Sequence, residues 1–157
     1  MSHDLVLLSG SVAERVAIAV FKVLEECGVF RDVKVVARGG CGNNDESEHR
    51  IILAARVENS FRLFKIEARF SRFFMSKPLV RVNVEDITHL AQLSDEELKE
   101  LETKRDLALS AIPTSPKELF SFNSFVKTLS ALKELATLPT FEEIQGARIF
   151  KKLVGKK

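Results

Sequence analysis

The sequence predicts an α+β fold: a short N-terminal strand and helix, a four-stranded antiparallel β-meander, then C-terminal helices packed on or beside the sheet. Three observations carry this. Apolar residues recur at helical spacing over residues 12–27, the period becomes two between Val33 and Ile87, and helical spacing with cap signals returns after Ser94.

Taken in order, Asp4-Leu5-Val6-Leu7-Leu8 is a brief apolar run closed by Ser9-Gly10, the pattern of a short buried strand. Ser11-Val12-Ala13-Glu14 has capping-box spacing, in which the Ser11 hydroxyl accepts from the Glu14 amide while the carboxylate reaches back to the Ser11 amide. The helix it starts runs to Cys27 and stops at Gly28, with Ala17, Ile18, Ala19 and Phe21 widening its apolar stripe beyond one face.

Alternation then defines the strands. Val33, Val35 and Ala37 alternate with Lys34, Val36 and Arg38, and Ile51, Leu53, Ala55 and Val57 with Arg50, Ile52, Ala54 and Arg56. Phe64, Ile66, Ala68 and Phe70 share one face of the third strand, and Val80, Val82 and Val84 oppose Arg81, Asn83 and Glu85 on the fourth. A meander with one covered face is expected. A two-residue turn at Asn59-Ser60 pairs Ala55 with Phe64, Leu53 with Ile66 and Ile51 with Ala68.

Capping-box spacing recurs at Ser94–Glu97, Ser115–Glu118 and Thr140–Glu143, and Pro116 sits at a first helical position. Three helices follow, the first of them expected against the sheet. The chain divides into a sheet domain, 1–112, and a helical extension, 113–157, belonging to the same compact unit.

With 157 residues, 45% hydrophobic content and a mean hydropathy of +0.01, one domain can bury a core without disulfides. No apolar run approaches the ~18 residues of a membrane span, and the N-terminus lacks signal-peptide character, so an intracellular, cytoplasmic or nuclear location is expected. Two cysteines, Cys27 and Cys41, are too few for a disulfide framework and lack metal-site spacing; no metal or cofactor is called for. Twelve Phe with no Tyr or Trp place the rings in the core or at an interface.

Enzymatic signals are weak. Cys41 and His49 share a polar segment from Gly39, but its glycines, Asn and acidic residues are what a long hairpin connection uses. Cys27 reads as a small core residue. The Gly39-Gly40 pair precedes no helix and no P-loop lysine, and Ser9-Gly10-Ser11 is explained by capping before any bound anion. His3 is terminal and His89 stands at a strand-to-helix junction. Glu96-Glu97 and Glu142-Glu143 lie in first helical turns, where the helix dipole favours them.

The net charge of +2 is unevenly spread: residues 1–49 carry five basic and eight acidic side chains, 50–81 eight and two, and 82–157 eleven and twelve. The predicted strands put Lys34, Arg38, Arg50, Arg56, Lys65, Arg69 and Arg81 on one uncovered sheet face, which suits nucleic-acid phosphates or an acidic partner. Phe120, Phe122 and Phe125, together with the wide stripe of the first helix, supply more apolar surface than one amphipathic face needs and form a candidate protein interface.

These features favour a non-enzymatic binding or assembly subunit. It docks a protein partner, or a second copy of itself, through apolar helices and an acidic partner through the basic sheet face. An RNA- or DNA-binding protein is the alternative, and an enzyme or a binder of small apolar ligands comes third.

Overall fold

The computed structural model describes residues 5–72, 77–113 and 122–155. Helix α1 (Val12–Glu26) precedes strands β1 (Arg31–Gly42), β2 (Glu46–Val57), β3 (Ser60–Ser71) and β4 (Leu79–Asp86). A 3₁₀ turn (Thr88–Gln92) leads to α2 (Asp95–Ser110), α3 (Phe122–Thr137) and α4 (Phe141–Gly155). The sheet is antiparallel in the order β1-β2-β3-β4, so the protein is α+β with a meander, as the periodicity predicts.

Both faces of the sheet are covered, where the sequence suggested one. Ala13, Ala17 and Phe21 of α1 pack on Ile51, Leu53, Ile66 and Ala68. Across the sheet, Ile144, Ala147 and Phe150 of α4 pack on Ile52, Ala54 and Leu63, with Leu90 and Leu98 completing the cluster. The unbroken run Ile51-Ile52-Leu53-Ala54-Ala55 is fully buried, the composition of a strand dry on both sides. It is α4, rather than the first C-terminal helix, that lies across the strands; α2 reaches the cluster through Leu98 and Leu101. Gly146 permits the close approach, because a Cβ there would stand 2.5 Å from Ile52 Cγ2 and 3.3 Å from Val36 Cγ2.

Other expectations need correction. Leu5–Leu8 forms no strand: Val6, Leu7 and Leu8 are exposed, and only Leu5 packs on the α1 cluster. The β2–β3 turn is Glu58-Asn59, with Glu58 at φ 57°, so Leu53 faces Phe64 and Ile51 faces Ile66. This shift by two positions preserves the assignment of side chains to faces, since the pleat repeats every two residues. The strands β1 and β2 extend to Gly42 and from Glu46, leaving only Asn43–Asp45 as the connection and drawing His49 into the core. Cys27 caps α1 in an exposed position instead of packing inside.

The Gly146 contact gives a direct test of the second layer. Gly146→Val is expected to lower the unfolding free energy by about 1–3 kcal/mol through overpacking against Ile52, read as a lower urea midpoint. An unchanged midpoint would mean that α4 does not sit this close to β2.

Candidate functional site

The seven cations expected on one free surface are divided by the fold. β1 breaks register between Val35 and Ala37, so Ala37 pairs with Ile52 and joins the α4 side while Arg38 pairs with Ile51 and turns to the α1 side. A bulge adds one residue to a strand and reverses the alternation beyond it. Arg38 therefore lies beneath α1 and does not share a surface with the others.

On the remaining face, α4 covers the central cations. Arg50 Nη2 donates to Glu142 Oε1 at 3.2 Å and its Nη1 pairs with Glu48, while Lys65 Nζ donates to Glu143 Oε1 at 3.2 Å and lies 3.4 Å from Glu85. Gly39 opposite Arg50 leaves the room: a Cβ would fall 1.8 Å from Glu142 Oε1. Burial disfavours the charge on Arg50, but Glu142 and Glu48 outweigh it and raise its pKa; Lys65 is raised against burial by Glu143 in the same way. Burial likewise opposes ionisation of Glu142, yet its own amide and Arg50 hold the carboxyl below its usual range. The first-turn carboxylates thus do more than meet the helix dipole.

The outer cations are exposed. Arg56 Nε pairs with Asp32 at 3.0 Å, and Arg69, 61% exposed, lies 3.5 Å from Glu67. Lys34 and Arg81 are exposed and have no ion-pair partner among the described residues. A cleft of about 410 Å³ beside Lys65 and Glu143 reaches His89, Arg69 and the α3–α4 connection, but its charges alternate in sign and largely pair with one another.

A second cluster, beneath α1, was not legible as a unit. The Glu14 carboxylate is fully buried and accepts from the amides of Leu8, Ser9 and Gly10 at 2.6, 2.9 and 2.8 Å and from Arg38 Nη2 at 3.1 Å. Ser11 accepts from the Glu14 amide, but the carboxylate does not return to Ser11. The amides that could have held an external anion are thus engaged by the chain's own Glu14. Burial opposes its ionisation, and the three amides outweigh burial, holding the carboxyl below its usual value.

His49 Nε2 lies 3.3 Å from Arg38 Nη2. A guanidinium can only donate, so Nε2 accepts and Nδ1 carries the proton. Burial, and then the charge of Arg38, push the imidazole below its ordinary value, which leaves it neutral near pH 7. Strand alternation sends Cys41, opposite Glu48, to the α4 side and His49, opposite Ala68, to the α1 side, so they form no thiol–imidazole pair. Among the described residues no group of three or more His, Cys, Asp and Glu could hold a metal ion, and no helix is long and apolar enough to cross a membrane.

Of the candidate apolar interface, Phe120 lies outside the described residues. Phe122 opens α3, of which only its backbone is described. Phe125 is exposed, and Val126, Leu129 and Leu132 are exposed with it. The helix packs against α2, and among its described side chains Thr128 and Ala131 are buried.

The Glu14 cluster contributes to the response to acid, alongside Glu142. Both His49 and Glu14 have folded pKa values below the ordinary 6.5 and 4.5, so each contributes stability that is present above its ordinary value and lost as pH falls. Urea midpoints are expected to begin dropping as pH falls below about 6.5, where the unfolded imidazole takes up its proton, and to drop again below about pH 4.5. His49→Gln should flatten the first drop and leave the second. Glu14→Gln, which strips the partner from Arg38 and the amides, should cost about 3 kcal/mol or more at neutral pH. A wild-type midpoint constant from pH 7 to 5.5 would contradict the assignment of a buried neutral imidazole.

Compared with known protein families, characterised proteins and solved structures, the chain matches none.

Proposed function

We propose that this protein is a non-enzymatic assembly subunit that docks a protein partner through the outward apolar stripe of α3. One observation carries the reading: Phe125, Leu129 and Leu132, at i, i+4 and i+7, are 50, 42 and 48% exposed while Thr128 and Ala131 on the same helix are buried. A helix that packs by small and polar residues and turns its large apolar ones outward has the pattern of one that lies in a partner's groove. Burying such side chains stabilises by about 1.5–3 kcal/mol each when it is complete, enough for three of them to dominate an interface.

The basic sheet face takes a smaller part in this reading. Arg50 and Lys65 are engaged by Glu142 and Glu143, so the acidic partner of the central face is α4 itself. Lys34 and Arg69 remain at the rim for contacts that steer an acidic partner.

The test compares proteins co-purified with the wild type, with Phe125→Asp/Leu129→Asp and with Lys34→Glu/Arg69→Glu. The α3 variant is expected to lose the partner with its circular dichroism and melting curve unchanged, and the charge variant to keep it. Retention by the α3 variant would reject the reading. Salt-sensitive binding of labelled RNA or DNA that disappears in the charge variant would move the function to nucleic-acid recognition.

A further inference from the structure

The two edges of the sheet are built differently. β1 breaks register twice, between Arg31 and Lys34 and between Val35 and Ala37, and holds Asp32 at φ 51°. Bulges and charges of this kind keep an edge from accepting another strand. β4 has no such break: it pairs with β3 in one register from Leu79 to Asp86, and all its residues are exposed.

Its open side is ready to pair. The Ile87 amide donates to the Leu63 carbonyl at 2.8 Å, and the register opposes 64 to 86 and 66 to 84. Antiparallel alternation then turns the backbone groups of Arg81, Asn83 and Glu85 toward β3 and those of Val80, Val82, Val84 and Asp86 toward the free edge. Val80, Val82 and Val84 are 45, 42 and 41% exposed on the α1 face. On the other face the strand reads Arg81-Asn83-Glu85.

We propose that this edge pairs with a second copy of the chain, β4 antiparallel to β4, across a two-fold axis at Asn83. That register sets Val82 opposite the partner's Val84 on one face and Arg81 opposite the partner's Glu85 on the other, each pair occurring twice by symmetry. Val82 and Val84 direct their backbone groups outward, so they form the hydrogen-bonded pairs. An axis at Arg81 would oppose two guanidinium groups, and one at Val82 would leave Arg81 facing Asn83 and Glu85 facing Leu79. The charge order of β4 therefore selects its own sequence reversed, and Arg81, which has no ion-pair partner among the described residues, gains a carboxylate that within its own chain is shared with Lys65 at 3.4 Å.

This interface is separate from the α3 stripe, and the two fail independently. Sedimentation velocity on the full chain is expected to give twice the 17.6 kDa chain mass at micromolar concentration. Arg81→Glu alone, or Glu85→Arg alone, places like charges opposite each other twice per dimer and should weaken the dimer about ten-fold or more. The double variant Arg81→Glu/Glu85→Arg restores opposite charges and the dimer. Asn83→Cys, in a Cys27→Ser/Cys41→Ser background, should oxidise to a covalent dimer, because residues on the axis form a non-hydrogen-bonded pair with Cα atoms about 4.5 Å apart. This readout stands even if a charge variant folds poorly. A wild-type monomer at about ten times the micromolar range overturns the proposal. So does a dimer indifferent to the single changes, weakening without rescue in a folded double variant, or dissociation by Phe125→Asp/Leu129→Asp instead.

Discussion

The burial of β2 on both faces is the constraint on which the rest of the structure depends. Ile51 through Ala55 are without solvent exposure, three side chains lying under one helix layer and two under the other. Once α4 lies on the strands, cations that flank the apolar run lose water and must be matched. Arg50 and Lys65 sit at that boundary, and the first turn of α4 brings Glu142 and Glu143 to them. The same carboxylates are favourable at a helix N-terminus. Helix polarity, apolar packing and charge pairing thus select one placement of α4.

The α1 side obeys the same rule with a different device. The bulge in β1 carries Arg38 under the helix, where a lone guanidinium would be costly; Glu14, bound by three amides of the preceding segment, neutralises it. The segment before α1 is held by these bonds rather than by strand pairing. Two ion-paired clusters, one on each face, engage Arg38, Arg50 and Lys65, and the surfaces left over include two apolar ones: the α3 stripe and the valine side of the β4 edge.

Much of the fold was legible, and the limits have physical causes. Caps at Ser11 and Ser94 and alternation in β2 and β3 identify helices and faces because they are local signals. The hairpin register came out two positions away, because a shift of two leaves every side chain on its own face and periodicity cannot detect it. The covered second face had a signal in the run Ile51–Ala55. The reversal of Arg38 had none, since a bulge leaves composition and spacing unchanged until the partner strand is in place.

By itself the sequence determined the α+β class, the meander, the inward faces of β2 and β3, and a concentration of positive charge between residues 50 and 81. Those properties are set by neighbours within a few residues. Only the tertiary structure decided that α4 covers the charged face, that Glu142 and Glu143 neutralise its centre, and that Phe125, Leu129 and β4 stay outside. Partners that lie 92 residues apart in the chain, as Arg50 and Glu142 do, are matched only when two apolar surfaces meet and exclude the water that would otherwise serve both.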